Sequence, residues 1–109
     1  MEKKLSIDVS DKGNYYLIKV SGSINSYTYD DFQKQLYNAI EEKNVCIDLS
    51  EVDILSSAGL GTIMYAIEKG EEKKHKVYIL NPSKIAYESI ESTGFKEMFN
   101  IISSIDQIK

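Results

Sequence analysis

A single cysteine, Cys46, leaves this 109-residue chain no internal disulfide and no thiolate cluster for a metal. Cys46 lies in an apolar run and is expected as a small core residue. No apolar run exceeds five residues, far short of the roughly 20 needed to cross a bilayer, so no membrane insertion is expected. The opening Met1-Glu-Lys-Lys-Leu5 leads into no apolar block and does not read as a secretory signal. Basic character is scarce as well: the net charge is −4, and the one short lysine cluster is Lys73, Lys74 and Lys76. A nucleic-acid binder exchanges a basic face for condensed counterions, and no such face is present. There is no Gly-rich P-loop, no dinucleotide fingerprint, no repeat and no low-complexity tract. These absences lead to the expectation of a cytoplasmic protein of one domain, residues 1–109, without metal or cofactor.

What is present is enough apolar sequence, 42%, for one ordinary core, and 28% charged residues to solvate it. Leu5, Ile7 and Val9 alternate as in a short strand. The turn residues Asp11-Lys-Gly-Asn14 separate it from a second strand, Tyr15–Val20, which suggests an antiparallel hairpin. Thr28-Tyr-Asp-Asp31 has the spacing of a capping box. Behind it Phe32, Leu36, Ala39 and Ile40 recur at helical spacing to about Glu42. Val45–Leu49 reads as a strand buried on both faces. Leu60, Ile63, Met64 and Ile67 give a second amphipathic helix, with Gly70 as its expected stop. A charged turn, Glu71–Lys76, leads to another buried strand, Val77–Leu80, completing a βαβ unit. Asn81-Pro82 breaks that strand ahead of a helix with Ile85, Ala86 and Ile90 inward, ended by Thr93-Gly94. A last short strand is expected over Met98–Ile102, and Ser103–Lys109 as the stub of a final helix.

The most informative stretch is Asp48-Leu-Ser-Glu-Val-Asp-Ile-Leu-Ser-Ser-Ala-Gly-Leu-Gly61. It runs from the end of an apolar strand, through a loop, into a helix, with Ser56 and Ser57 at the junction. Ligands of open α/β sheets gather at the carboxyl ends of strands, and a helix start there favours an anion. One serine of the pair is expected to cap the helix. Gly59 and Gly61 cost about 1 kcal/mol each relative to Ala inside a helix. They imply that something approaches the backbone closely, either a packed neighbour or a partner protein.

Catalytic readings fare poorly. A nucleophile elbow needs Gly two residues before the serine, and Leu55 stands there. The one histidine, His75, lies in the charged turn beyond the helix, on the order of 20 Å from Ser57 at 1.5 Å per residue, and reads as a solvated surface residue. Asp30 and Asp31 read as complements of a helix dipole rather than metal ligands, and Asp48 and Asp53 flank the loop.

The stretch Asp48–Gly61 resembles the signature of the STAS domain, and within it that of the bacterial anti-sigma factor antagonists. The resemblance extends over nearly the whole chain. Val20-Ser-Gly-Ser-Ile-Asn25, Tyr78-Ile-Leu-Asn-Pro82 and Ser92-Thr-Gly-Phe-Lys-Glu-Met-Phe99 resemble three further family segments, in order and at the right spacing. It implies an α/β fold with a mixed sheet of about four to five strands and three to four helices on one face. It implies a binding protein, not an enzyme, that sequesters an anti-sigma factor with serine kinase activity. Phosphorylation of one serine ends binding, and a PP2C-type phosphatase restores it. The phosphoacceptor position falls on Ser57, with Ser56 the alternative, and the docking face on Asn25, Ser56, Ser57, Ala58, Gly59 and Leu60. Two positions depart from the common pattern: Ser56 and Asn25 each replace an aspartate. The alternative function is a STAS accessory subunit of a lipid or anion transport system, with no phosphoswitch.

Overall fold

The computed structural model describes residues 4–108. Residues 1–3 of the opening stretch, and Lys109 at the end of the expected stub, lie outside the described residues. The elements are β1 (Ser6–Asp11), β2 (Tyr15–Ile24), α1 (Tyr29–Glu42), β3 (Asn44–Leu55), α2 (Ser57–Lys73), β4 (Val77–Leu80), α3 (Lys84–Ser92) and β5 (Asn100–Ile102). The five strands form one sheet in the order β1-β2-β3-β4-β5. β1 pairs antiparallel with β2, as the hairpin spacing requires, and the other three pairings are parallel. The mixed-sheet α/β expectation therefore holds, with three α-helices.

Strand alternation sorts the core. Ile18, Val20, Ile47, Leu49, Val77 and Ile79 point to one face, where they meet Phe32, Leu36 and Ile40 of α1, Ile63 and Ala66 of α2, and Ala86 and Ile90 of α3. All three helices thus cover one face of the sheet. The opposite face carries a smaller cluster of Tyr15, Cys46, Tyr78, Leu80 and Ile102, against which Leu17 and Ile108 pack. Cys46 is fully buried there, and burial pushes its thiol up to about 12. No helix among the described residues is long and apolar enough to cross a membrane.

Several local expectations need correction. β3 does not stop at Leu49: it continues to Leu55, so the expected loop is strand. Its register against β2 shifts twice, between Lys19 and Ser21 and between Gly22 and Ser23. Each shift leaves an extra residue on β3, a β-bulge. The bulges keep Leu49, Val52 and Leu55 on the core face although they are spaced by three rather than two. The capping box at Thr28 does not form; the Thr28 hydroxyl is engaged elsewhere. Gly70 does not end α2, which runs on to Lys73 and terminates at Lys74 in the left-handed conformation, φ 62°. Gly70 is needed for another reason: a Cβ there would collide with the backbone carbonyl of His75 and press on Ile40. His75 is half-buried, with Nδ1 2.6 Å from the Ile40 carbonyl oxygen, not a freely solvated residue. Met98 belongs to a 3-10 turn, Lys96–Met98, ahead of the shorter β5. In place of a final helix there is one 3-10 turn, Ile105–Gln107, capped by Ser104.

Candidate functional site

Parallel pairing of β2 with β3 places their carboxyl ends side by side. Ile24 is in register with Leu55, and the next residue, Ser56, donates its backbone N–H to the Ile24 carbonyl at 2.9 Å. The segment after Ile24 and the start of α2 are therefore one structural unit. Ser56 is extended (φ −79°, ψ 172°) and is the N-cap of α2. Its hydroxyl accepts from the Gly59 amide at 3.4 Å, and its carbonyl accepts from Leu60 N–H at 2.9 Å. Of the two serines, the half-buried Ser56 serves the helix, whereas Ser57, the first helical residue, is exposed.

The expected site residues divide by orientation. Ser56, Ser57 and Ala58 line the surface side of the junction, Ser56 and Ala58 half-buried. Gly59 faces inward: a Cβ there would stand 2.6 Å from Ile24 Cγ2 and 2.8 Å from Leu55 Cδ1. Close approach at Gly59 is therefore by packed neighbours, the ends of β2 and β3. Leu60 joins the core. Gly61, in contrast, is exposed, with nothing within 4 Å of the position a Cβ would take.

Asn25 is brought beside this junction through Ile24. Its Oδ1 accepts from the backbone N–H of Tyr27 at 2.8 Å and of Thr28 at 3.1 Å, an Asx turn. The Thr28 hydroxyl completes the lock, donating to the Ser23 carbonyl at 2.8 Å and accepting from the Asn25 amide at 2.9 Å. An aspartate at position 25 would present the same acceptor oxygen, so the Asn25 departure leaves the turn intact. This Asx–Thr lock is not visible in the hydrophobic pattern. The pairing of Asn25 with Thr28 three residues on was its signal, masked by the apparent capping box at Thr28.

The electrostatics are simple. The first turn of α2 carries no acidic side chain, and that of α1 carries Asp30 and Asp31, both exposed. Tyr37 and Tyr65 stand equally far from the starts of their helices and meet at 5.0 Å between ring centres. No lysine occurs from Val20 to Gln33 or from Ser56 to Glu68. The hydrolase arrangement is not assembled. α2 is 17 residues long, so about 25 Å of helix separates Ser57 from the turn holding His75. No cluster of three or more His, Cys, Asp or Glu residues suited to a metal occurs among the described residues. Asp48 instead supports the first bulge of β3, its Oδ1 accepting from the Ser50 amide at 3.0 Å.

The site is thus an exposed hydroxyl at a helix start of a mixed-sheet α/β domain. The chain belongs to the STAS domain family, whose profile matches residues 6–108. An anti-sigma-B factor antagonist from Staphylococcus aureus (strain NCTC 8325 / PS 47) is 23% identical over 99 residues, covering 89% of this chain and 92% of that protein. The crystal structure of an anti-sigma factor antagonist from Mycobacterium paratuberculosis superposes with a TM-score of 0.84 at 23% identity, over 94% of this chain and 89% of that one. The Bacillus cell fate determinant SpoIIAA in its phosphorylated form superposes with a TM-score of 0.74 at 14% identity, over 95% and 100% of the two chains. At these identities the structural likeness concerns the fold.

Proposed function

We propose that this protein is an anti-sigma factor antagonist that binds an anti-sigma factor with serine kinase activity and is switched off by phosphorylation of Ser57. The observation that carries the reading is the division of labour between the two serines. Ser56 is committed to capping α2, and Ser57, one residue on, is exposed and free of that duty. Membership of the STAS family and the names of the relatives support it. In the switching step the γ-phosphoryl of ATP passes to Ser57 Oγ, ADP leaves and the hydroxyl proton is released. A PP2C-type phosphatase reverses the state by hydrolysis.

The added charge acts at the interface rather than on the fold. A phosphoserine carries about −1.5 to −2 charges at pH 7. At the first residue of α2 it gains from the helix dipole, worth roughly 0.3–1 kcal/mol. The fold tolerates the phosphate, and the effect falls on the interface. There the group adds bulk and must be desolvated without a partner of its own. A loss of about 3 kcal/mol weakens binding roughly a hundredfold. Gly61 extends the docking face, its bare backbone open to an approaching partner.

Incubation with ATP and candidate anti-sigma kinases, followed by mass spectrometry, tests the reading. Phosphate on Ser57, lost in Ser57→Ala, supports it. A protein that no such kinase binds or modifies, and that copurifies with a transporter, would instead be an accessory STAS subunit.

A further inference from the structure

Tyr27 is 93% exposed, which sets it apart from the other tyrosines. Tyr15 and Tyr78 are buried in the second-face cluster and Tyr29 packs against the main core. Tyr16 donates to Glu42, Tyr37 and Tyr65 meet each other, and Tyr87 lies under Lys96. Only Tyr27 presents its whole ring to solvent. Its backbone is the reverse of loose: the Tyr27 amide is held by Asn25 Oδ1, and the next residue is fixed through both its amide and its hydroxyl.

We propose that Tyr27 is an aromatic anchor of the docking face, its ring entering an apolar pocket on the anti-sigma factor, and that Asn25 is the positioning residue that holds it out. The proposal rests on the reading of Ser57 given above. A kinase that phosphorylates Ser57 must seat that hydroxyl against its nucleotide. A stable complex covers about 800 Å² on each partner, and a footprint centred on Ser57 extends to the neighbouring turn, because Ser56 is bonded to Ile24 just before it. A tyrosine held on a rigid turn offers a large contact area with little flexibility to lose on binding. Tyrosine is also among the residues enriched where interface energy concentrates. The occupant is a protein rather than an anionic polymer or membrane, because Val20–Gln33 contains no lysine and includes the exposed Asp30 and Asp31.

The test measures binding of the full chain to each serine-kinase-type anti-sigma factor of the source genome, with Mg-ADP present. Tyr27→Ala is expected to weaken binding at least about tenfold, with an unchanged thermal midpoint. Tyr27→Phe is expected to bind like the unsubstituted protein. Asn25→Ala is expected to fall between them, and Asn25→Asp, which keeps the acceptor oxygen, to restore affinity. If Tyr27→Ala binds as tightly as the parent while Ser57→Asp does not, the anchor is refuted and the Ser57 reading stands. If Tyr27→Phe loses as much as Tyr27→Ala, the ring is not seated in an apolar pocket and the proposal fails. If the parent binds no such kinase, both readings fall together.

Discussion

Gly59 and Ile24 touch so closely that there is no room for a methyl group between them: a Cβ on Gly59 would stand 2.6 Å from Ile24 Cγ2. With the Ser56–Ile24 hydrogen bond, this contact fixes the start of α2 against the end of β2. Ser57 and the Asn25–Thr28 turn are thereby presented together, at the carboxyl ends of two interior strands.

The two junction glycines should respond to substitution in opposite ways. Gly59→Ala forces Ile24 and Leu55 to shift, and overpacking of this kind typically costs 1–3 kcal/mol. Gly61→Ala meets open space and removes a poor helix former, a gain of up to about 1 kcal/mol. Urea unfolding of both variants checks the contrast. Gly61→Ala should nonetheless weaken partner binding, because its methyl group adds bulk to the proposed docking face.

Ser56 is expected to act on stability rather than on phosphorylation. Ser56→Ala removes the N-cap, a change that costs about 1 kcal/mol in general, and less here because the 3.4 Å bond is long. Ser56→Asp supplies another good cap and a negative charge at the positive helix end, and should keep or raise the midpoint. Phosphate mapped by mass spectrometry should remain on Ser57 in both variants.

The thiol of Cys46 should be inert in the native protein. It is fully buried, and burial holds its pKa at about 12, whereas the thiolate is the reactive form. At pH 8 a thiol reagent should label it only as fast as the domain opens, and at once in denaturant. Rapid labelling under native conditions would show that the second-face cluster is not closed.

Acid should loosen one specific tie, between β1 and the end of α1. Lys43 Nζ lies 2.6 Å from Asp11 Oδ1. The bond from Lys43, followed by that from the Gly13 amide, holds the Asp11 carboxyl below its ordinary value. The same bond raises Lys43. A lowered native carboxyl pKa means the contribution is complete above the unfolded value, near pH 4, and is lost as pH falls through the lower native value. For Lys43 the contribution is complete below its unfolded value and is lost as pH rises through the raised native one. An NMR titration of the Asp11 carboxyl should give a midpoint below that of an unstructured aspartate. Lys43→Ala should return it toward normal.

The sequence made the helices and short strands legible because their apolar periods are regular. Phe32, Leu36, Ala39 and Ile40 are all buried, as are the four residues Val77–Leu80. β3 was legible only to Leu49, because two bulges turn the period from two into three at Leu49, Val52 and Leu55. No local propensity encodes a bulge set by a neighbouring strand. Gly70 looked like a helix stop, but its role comes from the carbonyl of His75 folding back beneath it. The Ser56–Ser57 junction could be read from the chain, down to one serine as a cap. Which serine caps depended on the strand continuing to Leu55. Tyr27 gave no sign in the sequence, since an exposed and a buried tyrosine are spelled alike.

The most direct test of the account is calorimetric titration of the anti-sigma kinase with unmodified protein and with protein stoichiometrically phosphorylated on Ser57, alongside thermal melts of both forms. The account predicts about a hundredfold weaker binding of the phosphorylated form, with melting midpoints within a few degrees of each other. Equal affinities, or a phosphorylated form that binds weakly because it has unfolded, would contradict it.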